Sequence, residues 1–326
     1  MNHQQPRLSI GMPVYNAEQY IIEAIDAILA QTYTDFELII SDNASSDRTQ
    51  EICQAYAAKD RRIKYYRNDR NIGVHRNYRR AFQLATGEYF RWATHDDICA
   101  PQGIEKCVEV LDRNPDVVLC YTKTKLINEH GTILEQNYDE NPLLTNSPHA
   151  HIRFRNLIID SFSRRYRGQQ LFGVMRHSVA ATTPLLGDYS GGDKPFLARM
   201  TLLGKYYEVP EYLFFNREHS QRSSSKEMNS PYLRMRLFNP DTKGEKPVFP
   251  RWSVFLDYLS AIKDVPLSLS ERIRCYLVLG TWLGKNKNWE QLVKELIKAS
   301  VWSIYFSKHR QMLVQQHQSE IPSGSS

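Results

Sequence analysis

The chain has 326 residues, 41% hydrophobic and 24% charged, as in ordinary soluble globular proteins with one large domain and an extension, or two modest domains. It has no run of eighteen apolar residues, no apolar signal-peptide core and no CxxC pair among its five cysteines, so we expect a cytoplasmic protein without a transmembrane helix. The net charge of +6 favours anionic partners such as nucleotides, phosphates or an anionic membrane surface, but no zinc-finger or RNA-binding signature accompanies it, so nucleic-acid binding is not predicted.

Short apolar runs alternate with amphipathic stretches over the first hundred residues. Strands are predicted at residues 8–14, 36–41, 63–66 and 89–93. A helix is predicted after each of the first three strands; the first begins at a capping-box pair, Asn16 and Gln19, and the third covers roughly residues 74–84. This repeated order predicts an α/β fold with a mainly parallel sheet and helices on both faces.

Polar residues follow the end of each of these four strands. The clusters are Tyr15 with Asn16, Asp42 with Asn43, residues 68–73, and Asp96 with Asp97. Because ligands bind at the carboxyl ends of parallel strands, we expect the clusters to form one binding rim. The alternative is a rim of ordinary solvated loops.

The adjacent acids Asp96 and Asp97 are the most informative of these clusters. Two ionised carboxylates repel each other unless a cation lies near them. Hard oxygen ligands at the end of a strand suit Mg²⁺ or Mn²⁺ shared with phosphates. A solvated turn before the next helix is the alternative interpretation.

The remainder of the chain continues with less regular patterns. A helix is predicted from Pro101 to about residue 114, and an amphipathic helix over 151–167 after an irregular segment at 126–151. An apolar helix follows Asp193 and ends at Gly204. Further strands are predicted at residues 117–124, 171–176, 206–209 and 212–215.

The composition divides the chain into four regions. They are an α/β domain (1–225), a flexible loop or lid (226–250), a helical extension (251–314) and a disordered tail (315–326). A capping box at Ser268 and Glu271 starts one helix of the extension. Because lysines flank its apolar faces, we expect the extension to lie against the α/β domain or to make a peripheral contact with the inner face of a membrane.

Five motifs in this order resemble the family 2 glycosyltransferases, which have the GT-A fold. They are Pro13–Asn16, residues 42–47, residues 71–77 followed by 86–88, Gly192 with Asp193, and Arg217–His219. None is specific alone; their order and spacing over roughly residues 8–225 carry the resemblance. It implies an inverting transfer from a UDP- or dTDP-sugar to a hydroxyl of a glycan or lipid-linked acceptor, in cell-surface polysaccharide or glycoconjugate synthesis.

The resemblance also implies roles for individual residues in a nucleotide-sugar site. Pro13, Tyr15 and Asp42 would hold the nucleobase, since a carboxylate can accept the N3–H of uracil or thymine. Arg76 would lie near the phosphates. The further nucleotide-sugar residues would be Asn16, Asn71, Gly73, Thr94, His95 and Asp96.

The metal and catalytic roles follow from the same resemblance. Asp96, with Asp97 and His219, would bind Mn²⁺ or Mg²⁺, and Asp193 would be the general base. A surface loop is the simpler explanation for His219, and a helix N-cap for Asp193.

One departure from the family pattern leaves alternatives open. The family's metal motif usually begins with Asp, and this chain has Thr94 there, which brings no charge. A non-catalytic nucleotide- or glycan-binding module derived from such an enzyme is one alternative. A nucleotidyltransferase is another, although no Gly-rich loop with Arg or Lys follows the first strand.

Overall fold

The computed structural model describes residues 5–134, 143–160, 169–220, 236–241 and 249–300. The strands are β1 (Leu8–Val14), β2 (Phe36–Asp42), β3 (Ile63–Arg67), β4 (Tyr89–Trp92), β5 (Ile98–Cys99), β6 (Val117–Ile127), β7 (Val174–Arg176) and β8 (Lys205–Arg217). The α-helices are α1 (Ile21–Leu29), α2 (Thr49–Lys59), α3 (Val74–Gln83), α4 (Gly103–Arg113), α5 (Ala150–Arg155), α6 (His177–Ala180), α7 (Asp193–Leu203), α8 (Pro250–Asp264), α9 (Leu269–Gly284) and α10 (288–300).

These strands form one sheet in the order β3-β2-β1-β4-β7-β6-β8-β5. Strands β3, β2, β1 and β4 are parallel, as predicted from the repeated order of strand and helix. Every residue of β1 and β2 is buried, which explains why both appear in the sequence as nearly continuous apolar runs. Their carboxyl ends therefore lie at one edge of the sheet, where the polar clusters were expected.

The other half of the sheet is mixed. Strand β7 is antiparallel to both β4 and β6, whereas β8 is parallel to β6. The prediction of two strands at 206–209 and 212–215 was wrong, because β8 is continuous. Its register against β6 shifts between Val209 and Tyr212, so Pro210 and Glu211 are accommodated in a bulge.

The predicted capping box at Asn16 and Gln19 is also wrong. Helix α1 begins at Ile21, and no side chain caps it. Asn16 has a positive φ of 48°, and its side-chain oxygen accepts a hydrogen bond of 2.8 Å from the backbone N–H of Ser46. The local pattern assigned the Asn16 side chain to the helix, but this side chain bonds instead to Ser46, which is distant in the sequence.

Two predictions between residues 150 and 176 are only partly correct. Helix α5 is followed by a π-helical turn at Asn156–Asp160, and residues 161–167 lie outside the described part of the chain. The strand predicted at 171–176 begins only at Val174, after a 3₁₀ turn at Gln169–Phe172.

The C-terminal helices pack on the α/β core. Cys275, Val278, Leu279 and Trp282 of α9 belong to the same buried cluster as Trp92 of β4. The Ser268 cap is confirmed, since its hydroxyl accepts from the backbone N–H of Glu271 at 3.3 Å. No helix in the ranges listed above is long and apolar enough to cross a membrane. The predicted lid and tail fall largely outside those ranges.

Candidate functional site

Loops at the carboxyl ends of β1, β2 and β4 build the expected rim. The backbone N–H of Asn43 donates to the carbonyl of Val14 at 2.9 Å, so the loop after β2 is tied to the end of β1. Pro13 is buried in β1, whereas Tyr15 is 45% exposed immediately after it. The side chain of Tyr15 is thus accessible to a ligand at the rim.

Asp42 is fully buried, and both of its carboxylate oxygens are used within the protein. Oδ1 accepts from the backbone N–H of Ser45 at 2.9 Å and from its hydroxyl at 2.6 Å. Oδ2 accepts from the Tyr65 hydroxyl at 2.6 Å and from the Arg67 guanidinium. These bonds fix the loop after β2, and a nucleobase N–H could reach Asp42 only by replacing one of them.

Asn43, Asn71 and Gly73 form the next part of the rim. The Asn43 amide donates to Asn71 Oδ1 at 2.9 Å, and Asn71 Oδ1 also accepts from the Gly73 backbone N–H at 2.9 Å. Gly73 has a φ of 93°, and a Cβ there would lie 2.4 Å from the carbonyl oxygen of Phe238. Only glycine suits this position, where the 236–241 segment lies against the start of α3.

Arg76 lies in a small network of charges at the start of α3. Its Nε donates to Asp188 at 2.9 Å, and its terminal nitrogen lies 3.4 Å from Asp241. Asp241 also pairs with Arg70. The Arg76 guanidinium remains about one-third exposed, so an anion could compete with these carboxylates for it.

Asp96 and His219 meet across the site although 123 residues separate them in the chain. His219 Nε2 lies 2.9 Å from Asp96 Oδ2, and the His219 side chain is only 5% exposed. The simpler explanation of His219 as a surface histidine is therefore wrong. Burial raises the pKa of Asp96, but the His219 hydrogen bond and the neighbouring imidazoles of His95 and His219 outweigh it and lower the pKa to about 2.

Asp97 points into a different environment from Asp96. Its Oδ1 accepts from the Asn216 side chain and from the Arg217 backbone N–H, both at 2.8 Å. Its Oδ2 accepts from the Thr94 hydroxyl at 2.7 Å. Asp97 is buried, and it connects the loop after β4 to the end of β8. The hydroxyl that replaces the usual first Asp of the motif is thus part of this connection.

Arg217 bonds to the backbone of the loop that carries Asp96, and its side chain is only 1% exposed. Its Nε donates to the Asp96 carbonyl at 2.8 Å, and another nitrogen pairs with Glu23 at 2.6 Å. The guanidinium also lies over the Tyr20 ring, 4.9 Å from its centroid, and that ring contacts His219. This positioning role could not be predicted from local sequence patterns, since Glu23 and Tyr20 are far from Arg217 in the chain.

Asp193 is the first residue of α7, with Gly192 at the N-cap position and no side-chain cap. The simpler explanation of Asp193 as an N-cap is therefore wrong. Within the described ranges, no hydrogen bond or ion pair reaches its half-buried carboxylate. A carboxylate at this position is favoured by the positive end of the helix dipole.

Tyr78 of α3 lies within electrostatic range of three of these acids. Its pKa is raised first by burial and then by the negative charges of Asp96, Asp97 and Asp193. Tyr78 lies between His75 and Trp92, with ring centroids 6.4 and 6.2 Å away. Asp96 and Asp193 therefore act on a common neighbour, although sequence analysis singled out neither Tyr78 nor His75.

The residues present fit a divalent cation in part. Asp96 supplies an ionised carboxylate and His219 an imidazole, and Nδ1 of His219 is a buried nitrogen without a partner in the described structure. No group of three or more His, Cys, Asp or Glu residues converges within those ranges. A cation here would therefore need the remaining ligands from a phosphate group and water.

Comparison with known proteins relates this chain to a family of enzymes. The family model described as "Glycosyl transferase family 2" matches residues 9–173. An uncharacterized glycosyltransferase of Haemophilus influenzae is 30% identical over 229 residues, which are 68% of each chain. One of Methanocaldococcus jannaschii is 34% identical over 40% of this chain and 46% of its own. The chain spans about half the length of several curated relatives that it matches.

Solved structures that resemble the fold include those of Staphylococcus aureus TarS. The structure of TarS residues 1–349 in complex with UDP-GlcNAc aligns with a TM-score of 0.61 over 91% of this chain and 81% of that one. The complex with UDP aligns with a TM-score of 0.58 over 86% and 73%. Sequence identities are 17% and 15%, so the comparison concerns the fold alone.

Proposed function

The chain belongs to glycosyl transferase family 2, and from this we propose that it transfers a sugar from a nucleotide sugar to a hydroxyl acceptor. The expected α/β fold of the GT-A type is confirmed by the sheet and by its likeness to TarS. The observation that carries the proposal is the contact of Asp96 with His219, which brings an acid at the end of β4 and an imidazole after β8 to one place in the site. The carboxylate of Asp193 has no hydrogen-bond partner in the described residues.

We assign the donor as a UDP- or dTDP-sugar. Tyr15 would stack on the base, and Pro13 and Asp42 would shape the floor beneath it. For Asp42 to accept the base N3–H, it would exchange the hydrogen bond from Tyr65 or Arg67 for one from the base. The donors named in the TarS complexes are consistent with this class.

Asp96 and His219 would hold Mn²⁺ or Mg²⁺, with Asp97 in the same loop. The bound cation would offset the negative charge of the diphosphate leaving group. Asp96 is suited to this because its low pKa keeps it ionised throughout the physiological range. The bonds of Asp97 to Asn216, Arg217 and Thr94 favour a positioning role for it, and its direct ligation of the metal remains a prediction.

Asp193 would take the proton of the acceptor hydroxyl. A hydroxyl is a weak nucleophile until a base removes its proton, and a carboxylate that no hydrogen bond of the described residues occupies can do so. Attack from the side opposite the diphosphate inverts the anomeric carbon. The acceptor would be a glycan or a lipid-linked sugar in cell-surface polysaccharide or glycoconjugate synthesis.

Thr94 supports a second candidate, a binding module that has lost catalysis. Its hydroxyl donates to Asp97 and brings no charge to the metal site. Release of UDP from UDP-sugars would separate the two candidates. We expect slow release of UDP that requires Mn²⁺ or Mg²⁺ and stops with a chelator. When an acceptor is supplied, we expect Asp193→Asn to lose this release. Tight, metal-dependent UDP binding with no release from any UDP- or dTDP-sugar would favour the binding module.

A further inference from the structure

Helix α9 carries large apolar side chains on both of its faces. Its inner face, with Cys275, Val278, Leu279 and Trp282, packs in the core. Its outer face carries apolar residues at spacings of i, i+4, i+7 and i+8, between 41% and 72% exposed. They are Leu269, Ile273, Tyr276 and Leu277. Packing against the rest of the fold explains the inner face and leaves the outer one unexplained.

Helix α10 repeats the same spacing. Its exposed apolar side chains, between 44% and 58% exposed, are Trp289, Val293, Leu296 and Ile297. The two helices thus hold eight of the fourteen exposed large apolar side chains in the described residues. Single exposed apolar residues are ordinary, but a concentration of this kind marks a binding surface.

The charges beside this apolar surface are mainly positive. Residues 269–300 contain six Lys or Arg and three Glu. All three glutamates are engaged within the protein: Glu271 with His151, Glu290 with lysines, and Glu295 with backbone N–H groups at the start of α8. The exposed Arg274 and Lys298 flank the surface, and neither makes an ion pair within the described residues, because Glu271 and Glu295, three positions before them, bond elsewhere.

We propose that the outer faces of α9 and α10 bind the surface of an anionic lipid bilayer. The apolar side chains would enter the headgroup boundary, while Arg274 and Lys298 would meet lipid phosphates. A second copy of the chain is a poorer occupant, because a two-fold contact would bring two basic surfaces together. The binding is peripheral, since no described helix can span a membrane. This inference goes beyond sugar transfer and does not depend on it.

Sedimentation with lipid vesicles tests the proposal on the full chain. Vesicles of phosphatidylcholine with one quarter phosphatidylglycerol should bind the parent, and pure phosphatidylcholine vesicles should bind it several-fold more weakly. The double variant Leu269→Glu, Leu277→Glu should lose at least fivefold in the bound fraction. Arg274→Gln with Lys298→Gln should reduce binding to the anionic vesicles severalfold and leave binding to neutral vesicles unchanged.

The matched control is Ile133→Glu with Leu144→Glu, two exposed apolar residues elsewhere, which should bind within twofold of the parent. Leu277→Ser serves if the double variant fails to fold, as judged by circular dichroism. Absence of parent binding to anionic vesicles, or equal binding by parent and Leu269→Glu, Leu277→Glu, would overturn the proposal. A parent dimer in light scattering that this variant makes monomeric, without vesicle binding, would assign the surface to a second copy instead.

Discussion

The loop after β2 and a second region, formed by the ends of β4 and β8 and the start of α7, both contain buried or half-buried aspartates. The hydrogen-bond partners of these aspartates differ between the two regions. Asp42 in the first region is fully buried, and four donors of the protein satisfy it. In the second region, Asp96 and Asp193 are half-buried; Asp96 bonds to a histidine, and Asp193 has no partner in the described ranges. We call Asp42 and Asp97 the framework acids, and Asp96 and Asp193 the site acids.

We therefore expect hydrogen-bond partners, more than position in a motif, to separate carboxylates that fix the fold from those with an oxygen available to a ligand; Asp42 could do both only by exchanging its bond from Tyr65 or Arg67. Asp96 and Asp97 are neighbours in the sequence, yet Asp97 resembles Asp42 in its burial and its donors. A buried carboxylate that accepts several N–H and O–H groups fixes the backbone around it. A carboxylate with acceptor capacity left over can bind a ligand or take a proton.

The largest expected effect concerns the site acid Asp193. In Asp193→Asn, an amide replaces the carboxylate at nearly the same size but cannot accept the proton. We expect sugar transfer to fall by about 10²–10⁴-fold. The affinity for UDP with Mn²⁺ should stay within about threefold, a difference below roughly 0.7 kcal/mol. Initial rates and calorimetry measure the two quantities; transfer near the parent rate would remove Asp193 from the role of base.

A framework acid should instead affect stability. Asp97→Ala leaves the Asn216 amide and the Arg217 backbone N–H without their acceptor, so we expect the free energy of unfolding to fall by about 1–3 kcal/mol. Asp193→Ala is the matched control, and it should cost less because no hydrogen bond or ion pair of the described residues reaches the Asp193 carboxylate. Urea unfolding monitors both. Equal losses in the two variants would erase the distinction between framework and site acids.

The pH dependence of stability should be the smallest of these effects. Asp96 has a folded-state pKa of about 2 against an ordinary value of 3.8, so its ionised form stabilises the folded state. This contribution is complete above about pH 4 and is lost as the pH falls through about 2. The parent should therefore lose up to about 2 kcal/mol more than Asp96→Asn between pH 4 and pH 2. Parallel acid dependences in chelator-treated samples would contradict this.

The sequence predicted the parallel half of the sheet well, for a physical reason. Strands β1 and β2 are buried on both faces, and their apolar runs end where the strands end. Prediction failed where a distant contact competes with a local pattern. Asn16, for example, accepts a hydrogen bond from the Ser46 backbone and does not cap helix α1. The prediction also treated β8 as two strands, because the bulge at Pro210 interrupts an otherwise continuous pairing.

The position of the site could be predicted from the sequence, but the roles of its individual residues could not. The polar residues that follow each strand predicted the rim, because parallel strands end at the same edge. The partners of Asp96 and Asp97 could not be predicted, since His219, Asn216 and Arg217 lie about 120 residues away. No local pattern distinguishes two adjacent aspartates when their environments depend on such distant contacts.

Calorimetric titration of UDP with and without Mn²⁺, on the parent, Asp96→Asn and Asp97→Asn, tests the distinction most directly. If Asp96 binds the metal and Asp97 positions its loop, the gain in UDP affinity from Mn²⁺ should fall by tenfold or more in Asp96→Asn. It should fall by less than about threefold in Asp97→Asn, whose amide oxygen can still accept from Arg217. An equal loss in both variants, or a full gain retained in Asp96→Asn, would contradict the account.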